Sequence, residues 1–530
     1  MQSRSDAKKT PAIYTDVTRD NIEALASDIR VQVSRAKFIA LDTEFTGLNI
    51  SNASPVFRFN TAEWVTRAVD MRERYKAMKN VAKTHALVSM GLSAFSRRHT
   101  YPGSYNVHSF NFMLQAQNTH LVNPTSLAFL AQNGFDLGKQ ATKGIRYFSG
   151  PNPTPIQVKT LEINTEGALI REIFFEVIRS RRPLVIHNGL FDLVYLYQSF
   201  FGPLPDTYES FVYDLFEAFP GGIYDTKVLA ENLVPGTASY LAYLYHKNER
   251  IQVLRQGAGD AAVQAKPKLL ACRKPSVEEP VVQPTNSSKR IYCDSFAMHG
   301  HCRLKTQCPL SHDIEFILDC QEKEQEENEA EAEAASTKNS DLGMSQRSVH
   351  NGTSKRKNGL SVDDADLRPS KMLKALEICE PESKASNMEK ELALARKCQS
   401  EPDSTSQAMY HTAAYDAYMT GYIFASYSVL FGDKLNDHKN KIYRMGRSSE
   451  PLLVQASPYS TNSTTYRQTM PLVEQGAQPI PPDIAAAKDA AAVLSSTDDS
   501  SAADSSSSSE DNSSDSSDDN SDDNSDNSGD

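Results

Sequence analysis

Residues 409–421 read MYHTAAYDAYMTG, a dense alternation of aromatic and small residues between two long polar stretches. So short a segment cannot bury its own surface, so it must complete a core begun elsewhere in the chain. Apolar material thins out after about residue 246 and returns only at about 408–431. The interval 250–405 is made of Pro, Lys, Glu and Ser runs around one Cys-rich island. The pattern therefore predicts one domain interrupted by an insertion. A returning helix closes it, with His411 and Asp416 at its entrance.

The first 246 residues read as an α/β domain. Ile22, Leu25, Ile29 and Val33 recur at spacings of three and four behind Thr18, which predicts an amphipathic helix capped there. FIALDTEFTGL (38–48) is an apolar strand ending in two carboxylates. A helical stretch follows at 61–82. LVSMGLSAF (87–95) and YNVHSFNFML (105–114) alternate like an antiparallel pair. SLAFLAQNGFDLGK (126–139) and 168–182 read as helices, and PLVIHNG (183–189) as a buried parallel strand. A further helix starts near Phe191, and GIYDTKVLAENL (222–233) leads into another. Strands and helices in this order predict a mixed sheet with flanking helices.

Charge bears on the partner class. The formal net charge is −11, but 495–530 and 324–337 contain no Lys or Arg. Without them the remainder is close to neutral or slightly basic, so its charge does not exclude nucleic acid. Seven Cys, none in the first 271 residues, are too sparse for a secreted disulfide scaffold. There is no apolar leader at the N-terminus and no window approaches 18 apolar residues. The expectation is a soluble intracellular protein with no membrane contact.

Asp42 and Glu44 lie two apart at a strand end, so both side chains point to one face. Two like charges there are costly unless a cation neutralises them; the plain alternative is a strand end reaching solvent. Asp192 follows another strand end among Leu190, Phe191, Leu193 and Val194, so it is expected against a core and in need of a partner. The alternative is a carboxylate at a helix N-terminus. Asp416 is a candidate fourth carboxylate, with His411 beside it as a base. Four carboxylates at the ends of one sheet can hold two divalent ions of the hard, oxygen-seeking kind, such as Mg²⁺.

LDTEF, HNGLFD and YHTAAYDAYMTG together resemble the His-containing branch of the DEDD 3′ exonucleases. Within it the chain is similar to the Pop2/CAF1-type deadenylases, and most to poly(A)-specific ribonuclease. RERYKAM (72–78), FLAQNGFDLGK (129–139), PLPDTYESF (203–211), YDTKVLA (224–230) and TASYLAYL (237–244) extend the likeness over roughly 20–246 and 408–431. It implies an RNase H-like fold, with Asp42, Glu44, Asp192 and Asp416 as ligands of two Mg²⁺ (Mn²⁺ serving in vitro) and His411 as general base. It implies hydrolysis of 3′ poly(A) or oligo(A) tails to 5′-AMP. Ser89 departs from the pattern, since relatives often carry Gln there.

In the insertion, CDSFAMHGHCRLKTQCPLSH (293–312) spaces Cys293, Cys302, Cys308 and His312 as C-x8-C-x5-C-x3-H. Three thiolates and one imidazole suit one closed, structural, tetrahedral Zn²⁺ site. The spacing resembles CCCH zinc fingers, which mostly bind single-stranded RNA, though some bind protein. Tyr292 and Phe296 offer stacking faces, and Arg303 and Lys305 positive charge. A CCCH finger before the last exonuclease motif resembles the target-of-early-growth-response deadenylases. That implies a nuclear protein (Cajal bodies, nucleolus, speckles) acting on small nuclear RNAs. SKRKNGL, with Lys355, Arg356 and Lys357, reads as a nuclear localisation signal for the import machinery. Homo-oligomerisation, which some relatives show, is left open.

The expected boundaries are 15–248 with 406–448 for the split exonuclease domain and 287–316 for the finger. Linkers are expected at 249–286 and 317–405, and a disordered acidic tail at 449–530. The competing reading is a catalytically inactive nuclease fold that binds RNA or protein.

Overall fold

The computed structural model describes residues 13–48, 70–98, 103–150, 165–270, 291–342, 412–444, 450–456 and 461–476. Among them the strands are β1 (Thr15–Val17), β2 (Phe38–Phe45), β3 (Leu87–Arg97), β4 (Ser104–Ala116), β5 (Ile145–Tyr147), β6 (Leu184–Ile186), β7 (Ile223–Asp225), β8 (Gln264–Pro267), β9 (Lys441–Ile442) and β10 (Leu452–Leu453). The helices are α1 (Ile22–Arg35), α2 (Met71–Thr84), α3 (Pro124–Gln132), α4 (Leu137–Lys143), α5 (Thr165–Arg179), α6 (Leu190–Leu196), α7 (Tyr208–Ala218), α8 (Thr226–Leu233), α9 (Leu241–Gly257), α10 (Asp294–His299), α11 (Ile314–Leu342), α12 (Ala413–Phe431) and α13 (Thr464–Gln475).

The strands form one mixed sheet in the order β1-β4-β3-β2-β6-β7-β9-β10. β2, β3 and β4 run antiparallel, while β6 and β7 join β2 in parallel. The outer edge of β4 is covered in turn by β8, β1 and β5. The expected α/β class and the antiparallel β3–β4 pair are therefore present. β6 is the buried parallel strand, all three of its residues being inaccessible because neighbours flank it on both sides.

Alternation along β2 divides the core in two. Ile39 and Leu41 face a cluster built with α1, α2, α5, α6 and α7. Phe38 and Ala40 face a second cluster built with α8, α9 and α12. α12 is buried along nearly its whole length, which explains why its sequence from Ala413 is apolar on nearly all sides. It lies flush on β3 because two glycines give it room. A Cβ added to Gly91 would sit 1.8 Å from the Ala413 carbonyl oxygen, and one added to Gly421 would sit 2.1 Å from the Phe95 ring.

Several expected boundaries need correction. Asn21, not Thr18, occupies the N-cap of α1. The linker expected at 249–286 contains the end of α9 and β8, which pairs with β4 from Ser104 to Val107. The linker expected at 317–405 begins inside α11, whose Ile317 and Leu318 are buried. Its Glu/Ala-rich run is a good helix former, and the apolar triplet Ile314, Ile317, Leu318 docks it. The tail expected from 449 contains β10 and α13, with Leu452, Val454, Thr469 and Val473 buried. All described residues fall within a unit that ends at Gly476. Among them no helix is long and apolar enough to cross a membrane.

Candidate functional site

β2 ends at the centre of the sheet, and its last residues carry the site. Asp42 pairs with Gly91 and Glu44 with Ser89 in the β2–β3 ladder. Ligand atoms of Asp42, Glu44 and Asp416 all lie within 4.8 Å of one another. Asp416 reaches that spot from the first turn of α12, which the missing side chain of Gly91 allows to descend onto the sheet. The ladder shifts register between Glu44 and Phe45, the kind of irregularity that re-aims a side chain at a strand end.

Asp192 arrives from the opposite face. It sits in the first turn of α6, and α6 belongs to the cluster that faces Leu41 and Thr43. The Thr43 hydroxyl donates to Asp192 Oδ1 at 2.7 Å. Phe45 stacks on Tyr195, one turn along α6, with ring centroids 4.5 Å apart, and the Tyr195 hydroxyl donates to Gly47 O at 2.7 Å. β2 is thereby stapled to α6. Asp42, Glu44 and Asp416 form the close trio, and Asp192 stands beside it across the sheet end.

The electrostatics agree with a cation site. Burial, then the charges of Asp416, Asp192 and Glu44, push the Asp42 carboxyl well above the usual carboxylate range. Burial, then Asp416 and Asp192, does the same to Glu44. Burial raises Asp192 to about 6 even though the Thr43 hydroxyl and backbone donors stabilise its charged form. Desolvated like charges this close call for a positive partner, and an all-oxygen donor set suits Mg²⁺ or Mn²⁺. His411, the expected base, lies outside the described residues.

The sequence reading missed several side chains at this sheet end. Asp225 closes β7, and its carboxylate accepts from the backbone N–H groups of Asn188, Lys227 and Tyr443. His187 Nδ1 is 2.9 Å from Thr226 Oγ1, and burial lowers its pKa to about 3. Asn188 adopts a left-handed φ of 54°. Thr43 and Gly91 were missed too. The one sequence signal for them was a glycine inside a strand, which marks close backbone approach. Ser89 donates to Asn111, whose amide donates to Asp16, itself paired with Lys139.

The second cluster is also assembled. Ligand atoms of Cys293, Cys302, Cys308 and His312 lie within 4.8 Å of one another. Soft thiolates with one imidazole at this spacing fit tetrahedral Zn²⁺. The expected RNA-contact residues are placed differently from one another. Arg303 and Lys305 are exposed, and Tyr292 is half-buried in a bridge to Ser311. One face of Phe296 is taken by the His312 ring, stacked at 4.5 Å and 10°. Lys355, Arg356 and Lys357 lie outside the described residues.

Comparison with known proteins places these geometries in context. Residues 17–166 and 157–424 match the model described as CAF1 family ribonuclease. Poly(A)-specific ribonuclease PNLDC1 of Mus musculus is 22% identical over 321 residues, covering 41% of this chain and 58% of the mouse protein. Poly(A)-specific ribonuclease PARN of Xenopus laevis is 27% identical over 144 residues, covering 25% of this chain and 21% of the frog protein. The chain thus spans less than two thirds of the length of either relative. The structure of S. pombe Pop2p in its Mg²⁺- and Mn²⁺-bound form aligns at 18% identity and a TM-score of 0.32, covering 45% of this chain and 82% of that one.

Proposed function

The chain belongs to the CAF1 family of ribonucleases, and from that membership we propose that it is a Mg²⁺-dependent 3′→5′ exoribonuclease that removes 3′ oligo(A) or poly(A) tails. The observation that carries the reading is the convergence of Asp42, Glu44 and Asp416 within 4.8 Å, with Asp192 beside them. The reaction is phosphodiester hydrolysis at the 3′ end, releasing 5′-AMP. A pair of divalent ions, when bound, would supply positive charge for the phosphate oxygens and make the attacking water more acidic. Asp42, Glu44 and Asp416 would hold those ions together with Asp192, whose carboxylate the Thr43 hydroxyl orients. His411, one residue before the α12 N-cap, takes the proton from water, a role that rests on the family resemblance.

Cys293, Cys302, Cys308 and His312 would hold a zinc ion that stabilises the finger fold, and Arg303 and Lys305 would give it a positive surface for RNA. The finger resemblance and the basic run at Lys355–Lys357 support a nuclear location and small nuclear RNA substrates. A tagged chain with Lys355, Arg356 and Lys357 changed to Ala should leave the nucleus.

A gel assay on 5′-labelled RNA ending in oligo(A) or oligo(U) tests the activity. The expected result is a ladder shrinking from the 3′ end, faster on A, absent with EDTA and with Asp42→Asn. Tight binding of both RNAs without shortening would favour the inactive-binder reading instead. Products ending in a 3′-phosphate would contradict the proposed chemistry.

A further inference from the structure

We propose that the zinc finger is a positioning element of the nuclease. By holding α9 it fixes the first turn of α12 and with it Asp416. The inference rests on the reading of Asp416 as a catalytic metal ligand.

The contacts run without a gap from one metal site toward the other. His312 stacks on Phe296, and Phe296 meets the Tyr240 ring edge-on, with centroids 6.1 Å apart. Tyr240 is the N-cap residue of α9. Gly300 ends α10 in the left-handed region, φ 68°, so close to Tyr240 that an added Cβ would lie 2.8 Å from its ring. The chain leaving the finger then runs along α9 as α11. Tyr243 donates to Gln321 at 2.9 Å, Arg250 reaches Asp319 at 2.8 Å and Glu322 at 2.9 Å, and His246 reaches Glu315 at 2.7 Å.

The other side of α9 grips α12. The Tyr245 ring meets the rings of Tyr415, Tyr418 and Tyr422 edge-on at 6.1, 6.2 and 5.3 Å. Further along, Ser426 donates to Asn248 at 2.6 Å and accepts from Gln252 at 2.7 Å. Tyr415 immediately precedes Asp416. Thr412, the N-cap of α12, makes no side-chain capping bond, so the first turn is placed by what packs around it. The sheet at Gly91 is one wall and the tyrosine cluster on α9 is the other. A finger this small depends on its metal to fold. Losing zinc therefore removes the Phe296 and Gly300 support of Tyr240 at the start of α9, and the inner wall of the Asp416 turn loosens. A finger that served only to grip RNA would have no need of this continuous docking.

The test uses the full chain without RNA. Gly300→Val keeps all four zinc ligands but collides with Tyr240, and Phe296→Leu removes the ring between His312 and Tyr240 more gently. Zinc content, Mn²⁺ affinity by electron paramagnetic resonance and amide exchange of residues 413–419 are measured for each and for Cys308→Ser. The expected result is that Gly300→Val and Phe296→Leu retain one zinc, bind Mn²⁺ about tenfold more weakly and exchange faster in 413–419. Their kcat on a short saturating oligo(A) falls in step. Wild-type Mn²⁺ affinity and exchange in all three variants, with only KM for long RNA raised, would overturn the inference. If wild type and Asp42→Asn bound Mn²⁺ equally, the active-site reading itself would fail, and that outcome is separate from a failure of coupling.

Discussion

Gly91 has the most leverage of any residue at the site. Its place in the ladder is ordinary, but the space above it belongs to the Ala413 carbonyl. Gly91→Ala should force α12 away from β3, costing about 1–3 kcal/mol as an overpacking change. Catalytic activity should fall further than that loss implies, because Asp416 moves with the helix; thermal melts beside the cleavage assay check this. Asp42→Asn should behave in the opposite way. It removes a charge that burial and three neighbouring carboxylates disfavour. Cleavage should vanish while the melting temperature without divalent ions stays level or rises. A drop of several degrees would show Asp42 to be structural.

At this scale the sequence was half legible. Asp42 and Glu44 had to share a face because strand side chains alternate. Nothing local placed Asp416, several hundred residues later, beside them; the family resemblance supplied that, and the missing Cβ of Gly91 explains it. The same alternation puts Asp192 on the other face, where Thr43 holds it, a division that counting carboxylates could not reveal.

At the scale of elements, the misread segments share a cause. α11 and α13 read as linker and tail in the sequence because polar composition outweighs a sparse apolar stripe. Three apolar residues dock α11, and α13 buries only Thr469 and Val473. Each is secured by specific bonds that composition does not encode. Ser463 caps α13 by accepting from the Tyr466 N–H, and its own N–H donates to the buried Asp214. Ser463→Ala should cost about 1 kcal/mol, as loss of an N-cap does. Denaturant melts should show the shift, and no change would mean that α13 contributes nothing to the stability of the nuclease unit.

At the scale of the whole molecule, folding couples to pH through groups buried where strands end. His187 titrates near 6.5 in an unfolded chain and near 3 in the folded one. Because the folded pKa is depressed, the unfolded state binds more protons between those values. The associated stability is complete above about pH 6.5 and drains away as pH falls toward 3, by at most about 1.4 kcal/mol per unit. His187→Gln should flatten the acid side of a melting-temperature profile over that window. An unchanged slope would place the acid sensitivity in other groups.

The chain by itself determined the α/β class, the D-x-E strand end and the spacing of Cys293, Cys302, Cys308 and His312. All of these are local patterns of alternation, spacing or residue type. Tertiary structure alone decided which carboxylates form the close trio, and that the inserted finger is docked rather than tethered. Those outcomes depend on the path of α12 over Gly91 and on α9 lying between finger and sheet. They are contacts between segments far apart in sequence, and no local periodicity encodes them.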